Sequence, residues 1–239
     1  VLNFTNLTNN QIVTYGTDLN INVNASHSAG IANVALYVDD VLLRQESTAP
    51  YDWGYEVSDE SLNTLSSGEH VIKAVATATS GETAETSVTI KIIATQTITL
   101  QSGWNIISIN VHPTDSSITT LFAGLDVQEV KSITKFWRKG QQTFFNTLQN
   151  IEAGKGYLVH MNASGSITVS GKPMQTSAPQ PVNGWNLIGC SYRVSTPLTS
   201  FFNASNCQVI KNFEGIWMPN GSSNSLQNFE PGKGYFLKK

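Results

Sequence analysis

The sequence predicts a mainly β chain of two domains. Three observations carry this: short segments that alternate apolar and polar residues, turn residues between them at regular spacing, and an internal repeat across the second half. Residues 1–95 are expected to form an antiparallel β-sandwich. Residues 96–239 are expected to form a pseudo-two-fold, β-rich domain with short helices, built from units at 98–174 and 180–239.

In the first half, Leu19–Ala25 and Val34–Val38 alternate with period two, as half-buried strands do. Asp39-Asp40 marks a turn before Val41-Leu42-Leu43. Ser66-Ser67-Gly68 precedes a strand over Glu69–Ala76, and Gly81 precedes another over Thr86–Ile92. Short strands with turn signals about every ten residues indicate a sandwich. Asp39 and Asp40 could offer carboxylates to a calcium ion, although a turn alone favours these residues.

The second half repeats itself. Gly103–Ser108 (GWNIIS) matches Gly184–Gly189 (GWNLIG), Trp137 matches Trp217, and Ile151–Val159 (IEAGKGYLV) matches Phe229–Leu237 (FEPGKGYFL). Each unit reads as strand, short helix, two strands, turn, strand. Asp115 or Ser116 is the expected cap of the first helix, and Thr196-Pro197 opens the second. Open sheets of this kind have unpaired edges, so the units should pair about a pseudo-two-fold axis.

These residues carry two resemblances. The run from Gly30 to Trp53, followed by Gly68–Ile92, resembles the bacterial immunoglobulin-like domains of secreted glycoside hydrolases and polysaccharide lyases. The pattern GWNIIS…GKGYLV…GWNLIG…GKGYFL resembles a repeat in C-terminal regions of secreted bacterial proteins, including polysaccharide-degrading enzymes of marine Bacteroidetes. The resemblance implies a non-catalytic carbohydrate-binding module on a polypeptide that also carries a catalytic domain. The alternative is a structural spacer or cell-surface adhesion module with no glycan site.

Charged residues make up 13% of the chain, about half the usual share of roughly 25%. Residues 1–95 hold three basic against eleven acidic residues, whereas residues 96–239 hold eleven basic against six acidic. The basic excess of the second half points to an anionic polysaccharide, sulfated or uronic-acid-containing, such as an algal glycan. Nucleic acid would call for a denser Lys/Arg stripe, and no apolar run reaches membrane-spanning length. The chain begins at Val1 without a signal-peptide pattern, and is read as a monomeric segment of a longer, secreted or surface-exposed polypeptide.

No HExxH, GxSxG or GxxxxGK[ST] pattern occurs, and no catalytic residue is assigned. Glu152 and Glu230 share one turn position in the two units, which a structural role explains as well as a paired-carboxylate one. The candidate ligand-binding residues are Trp137, Arg138, Lys139, Trp217, Lys155, Lys233, Arg193 and Phe144. Trp137 and Trp217 sit among polar residues and serve either as core or as platforms for a sugar ring. Arg138, Lys139 and Arg193 would meet sulfate or carboxylate. Lys155 and Lys233 lie in Gly-Lys-Gly turns that either aim N–H groups at an anion or are simply tight turns. Phe144, beside Phe145, has no counterpart in the second unit. Trp104 and Trp185, repeated before an apolar strand, are read as structural. Cys190 and Cys207 are either buried thiols or one disulfide.

Overall fold

A computed structural model describes residues 1–55 and 60–239 of the chain, with the side chains of Glu60 and Ser61 left aside. The chain divides into two compact units, Val1–Ala94 and Thr95–Lys239.

The first unit is the antiparallel sandwich that the alternation predicts. Its strands are β1 (Leu2–Phe4), β2 (Gln11–Thr14), β3 (Ile21–Ala25), β4 (Ile31–Val38), β5 (Val41–Glu46) and β6 (Tyr51–Trp53); a helical turn α1 (Glu60–Asn63) precedes β7 (Gly68–Ala78) and β8 (Thr83–Leu100). One sheet runs β1-β3-β6. The other runs β5-β4-β7-β8, with β2 added in parallel to β8. Inward residues of both sheets meet in one core around Trp53, Ile21, Leu36, Ile72 and Ile90, all shielded from water. The three strands that the alternation does not reveal, β1, β2 and β6, are three or four residues long, too short to display a period.

The Asp39-Asp40 turn joins β4 to β5 with both residues at positive φ, 50° and 64°, the geometry of a two-residue hairpin that Asp tolerates. The carboxylates are already engaged. Asp39 accepts from the Val71 N–H at 2.9 Å and pairs with His70 Nδ1 at 2.7 Å, while Asp40 pairs with Lys73 at 2.5 Å. Burial works against the Asp39 charge, but the Val71 and His70 hydrogen bonds outweigh it and hold the carboxyl below its ordinary value. These contacts pin the hairpin to β7, and among the described residues no group of three or more metal-ligating side chains converges.

The second unit contains two small sheets of the same topology. Its first half comprises β9 (Gly103–Ser108), β10 (Val111–Pro113), α2 (Ile118–Leu121), β11 (Val127–Lys131), β12 (Phe136–Arg138), a 3-10 turn (Thr143–Phe145), β13 (Gly156–Met161) and β14 (Gly165–Pro173). Its second half comprises β15 (Trp185–Gly189), β16 (Thr196–Pro197), a 3-10 turn (Leu198–Ser200), β17 (Val209–Lys211), β18 (Ile216–Trp217), β19 (Asn228–Phe229) and β20 (Gly234–Lys238). The sheet orders are β12-β11-β13-β9 and β18-β17-β20-β15, which match strand for strand. The helices are a single turn each. Ser117, not Asp115 or Ser116, occupies the N-cap of α2, and Asp115 braces it from two residues upstream through the Ser117 N–H and Thr120 hydroxyl.

The halves join reciprocally, as a pseudo-two-fold requires. Ile107 bridges to Lys233 and Ile188 bridges to Lys155. The Ser108 N–H donates to Gly232 O and the Gly189 N–H to Gly154 O, each at 3.0 Å. Each Gly-Lys-Gly turn thus caps the first strand of the opposite half. Its second glycine is obligatory on space alone: a Cβ on Gly156 would lie 2.6 Å from Ile188 O, and one on Gly234 2.7 Å from Ile107 O.

Cys190 and Cys207 are free thiols buried in the core of the second half, beside Phe202, Ile210 and Phe229. Burial pushes both thiols up to about 11. At pH 8 only about one in a thousand would be thiolate, the reactive form. The native chain is therefore expected to react negligibly with a thiol-selective chromogenic disulfide, and to release two equivalents once denatured. Rapid native reaction at either cysteine would contradict this burial.

Candidate functional site

Strand register decides which aromatic rings face water. On β12, Trp137 lies opposite Val130, which lies opposite Val159; on β18, Trp217 lies opposite Ile210, which lies opposite Leu237. These valine, isoleucine and leucine partners are buried, so this row faces the core. Trp217 is only 4% exposed and packs against Phe202 at 6.5 Å between ring centres. Its assignment as a ligand platform is corrected: successive strand residues point to opposite faces, and Trp217 shares the inward one. Trp217→Ala should cost about 3–5 kcal/mol, the usual range for a buried aromatic. A denaturant midpoint that hardly moves would refute this.

Trp137 is half-buried. It edges a hollow of about 460 Å³ also lined by Arg138, Thr143 and Asn146. The adjacent Phe144 is 74% exposed and stacks on Phe145 at 4.1 Å. Arg138 points to the opposite face from Trp137 and pairs with Glu129 at 2.9 Å. Lys139 pairs with Asp126 at 2.8 Å; that bond and one from Asn162 hold the Asp126 carboxyl below its ordinary value. Trp137 therefore does not sit between two available cations. Arg193 is half-buried in the loop after β15, and is not among the described residues lining the grooves below.

The outward rows carry the tryptophans that the repeat pattern marks as structural. Trp104 and Trp185 are 40% and 44% exposed, which corrects that reading. Each stands at the start of an edge strand, directly after a glycine at positive φ, Gly103 (the first residue of β9) at 89° and Gly184 at 93°. The following asparagine fixes the entry. Asn105 accepts from Gln101 N–H and donates to Gln101 O, both at 2.8 Å; Asn186 does the same with Val182 at 3.0 and 2.7 Å. Gly-Trp-Asn is thus a device for turning an indole outward.

A lysine from the third strand of the sheet reaches each ring. Lys131 Nζ lies 5.0 Å from the Trp104 ring centre and Lys211 Nζ 4.8 Å from that of Trp185, within cation–π range. His160 packs on Trp104 at 4.9 Å, and Phe236 meets Trp185 edge-on at 6.4 Å.

Each platform opens into a groove walled by the other half. The Trp104 groove, about 470 Å³, runs to Asn212, Phe213, Glu214 and Lys233. The Trp185 groove, about 520 Å³, runs to Ser132, Ile133, Lys135 and Lys155. The sequence-predicted Lys155 and Lys233 are therefore brought to tryptophans, though one to each groove. Both are ion-paired, Lys155 with Glu152 at 2.7 Å and Lys233 with Glu214 at 2.5 Å. Glu152 and Glu230 hold matching structural places: the backbone N–H of each donates to the buried Tyr157 or Tyr235 hydroxyl at 2.9 Å. An exposed indole, a nearby ammonium and a polar groove together suit an extended polyhydroxylated ligand whose ring faces are apolar and whose edges are not.

Residues 1–74 match the family model described as the bacterial Ig domain. Among curated proteins, the long isoform of ulvan lyase from Pseudoalteromonas sp. (strain PLSV) is 34% identical over 68 residues, 28% of this chain and 7% of that protein. The long isoform from Glaciecola sp. (strain KUL10) is 37% identical over 67 residues, again 28% of this chain and 7% of the other. The chain thus matches less than a tenth of the length of these relatives. Among solved structures, the fibronectin(III)-like modules of Clostridium thermocellum CbhA align at 20% identity and a TM-score of 0.34, over 38% of this chain and 94% of theirs. The SGBP-B protein of the Bacteroides ovatus mixed-linkage glucan utilization locus, in complex with a heptasaccharide, aligns at 10% identity and a TM-score of 0.26, over 98% of this chain and 57% of its own. Among the described residues no helix is long and apolar enough to cross a membrane.

Proposed function

We propose that the chain is a non-catalytic carbohydrate-binding part of a secreted polysaccharide-degrading enzyme, and that its second unit, a duplicated repeat, holds an anionic polysaccharide. The observation that carries this reading is the pair of exposed, lysine-flanked tryptophans, each presented by the same Gly-Trp-Asn turn at the mouth of a groove. A single exposed aromatic is ordinary on a protein surface, but here the exposure recurs at equivalent positions of both halves, each time beside a lysine and a groove. Similarity to the ulvan lyases supports a polysaccharide context, with ulvan as the first ligand to try. The first unit, with its family match to a bacterial Ig domain, spaces or orients the second.

The test is affinity electrophoresis of the 239-residue chain through gels containing ulvan, alginate or the neutral glucan laminarin. Retardation by an anionic polysaccharide, weaker at high salt, is the expected result. Equal migration in all gels would leave the spacer reading in its place, and loss of polymer mass on incubation would indicate an enzyme instead.

A further inference from the structure

The two platforms share a backbone plan but not a charge. Around Trp104, the outward row places Glu129 opposite both Arg138 and His160, and His160 opposite Trp104. Glu129 takes Lys131 at 3.1 Å and Arg138 at 2.9 Å. Burial disfavours its charge, but these two partners more than compensate and keep the carboxyl below its ordinary value. Across the groove, Glu214 takes Lys233. Lys131, Arg138 and Lys233 around this tryptophan are thus each matched to a carboxylate.

Around Trp185, the equivalent row reads Val209, Lys238, Trp185. A valine stands where the other half has Glu129. Among the described residues, neither Lys211 nor Lys238 has a carboxylate partner. The groove adds Lys135, together with Lys155 and its partner Glu152. Four lysines therefore surround this tryptophan against one carboxylate.

We infer that the two platforms read different sugars of one polymer: the Trp185 face takes a ring bearing sulfate or carboxylate, and the Trp104 face takes an uncharged ring. This rests on the glycan-binding reading above. The physical basis is the fate of the lysine charge. At Trp185 an anionic substituent on the stacked ring meets the ammonium groups of Lys211 and Lys238, which have no carboxylate partner among the described residues. At Trp104 the same substituent would have to displace Glu129, which is already hydrogen-bonded to both cations.

The test is a titration of the 239-residue chain with ulvan, with alginate and with laminarin, at about 0.1 M and about 1 M salt, where the screening length falls from roughly 10 Å to roughly 3 Å. The variants are Trp104→Ala, Trp185→Ala, Lys211→Gln with Lys238→Gln, and Glu129→Gln. For the wild type, affinity for an anionic polysaccharide should fall at least tenfold over this salt range. The double lysine variant should lose most of that dependence, and Trp185→Ala should behave likewise. Trp104→Ala should weaken binding by a similar factor at both salt concentrations. Glu129→Gln, which frees Lys131 and Arg138, should raise affinity for the anionic polymer at low salt. If the wild type binds no polysaccharide, the glycan-binding reading and this inference fall together. If it binds but Trp104→Ala and Trp185→Ala change the salt dependence equally, only the inference falls.

Discussion

A chain carrying Trp104→Ala with Trp185→Ala is expected to show no measurable retention by a polysaccharide that retards the wild type. Truncating a well-placed Trp at a binding surface typically costs about 2 kcal/mol or more, which is roughly 30-fold in affinity. On the proposed reading both platforms engage one polymer, so the second contact would form at high effective concentration and the losses compound. The pair should cost on the order of a thousandfold, and each single change roughly thirtyfold. Both rings are at least two-fifths exposed, so folding should survive. A modestly lowered unfolding midpoint, from loss of the lysine and aromatic contacts to each ring, with binding abolished in the still-folded chain, is the expected combination, read by affinity electrophoresis and denaturant titration on the same samples. Retained binding by the double variant would move the site elsewhere, with the Trp137 hollow as the next candidate.

The second large effect is on the seam. Gly156→Ala with Gly234→Ala should lower the melting temperature by roughly 5–20 °C, from about 1–3 kcal/mol of overpacking at each site. The reason is local. In each case the new methyl would stand under 3 Å from a backbone carbonyl of the opposite half, and a carbonyl in a strand pairing cannot rotate aside as a side chain can. Gly140→Ala is the control, since nothing lies within 4 Å of its Cβ and only its positive φ of 75° is strained, costing roughly 1–2 kcal/mol. Calorimetry that ranks Gly140→Ala as the more damaging change would contradict the pseudo-two-fold seam.

The fold was largely legible because its signals are local. Period-two alternation located β3, β4, β5, β7 and β8, and equivalent motifs anticipated two halves with one strand order. For the candidate site the sequence offered aromatics near lysines but did not show which of them face water. Whether Trp137 or Trp104 faces water depends on which residue of β11 or β13 lies opposite it, and that register is fixed between strands far apart in sequence. Polar neighbours at Trp137 and Trp217 suggested exposure, yet on a strand the neighbours of a buried residue are the outward ones. Ile216 and Met218, both exposed, flank the buried Trp217 for this reason. The usable signal lay in Lys131 and Lys211. Each follows a buried Val130 or Ile210 and so marks the outward face, and each ends up over Trp104 or Trp185. Net charge by domain is a blunt guide, because Arg138, Lys139, Lys155 and Lys233 are each ion-paired, whereas Lys135, Lys211 and Lys238 have no carboxylate partner among the described residues.

The central claim is that the second unit holds its polysaccharide on Trp104 and Trp185. With five tryptophans in the chain, 5-fluorotryptophan labelling gives a spectrum small enough to assign by single substitutions. Titration with ulvan should shift the Trp104 and Trp185 fluorine resonances and leave those of the buried Trp53 and Trp217 in place. Shifts confined to Trp137, or a spectrum that does not respond while the polymer demonstrably binds, would contradict the account.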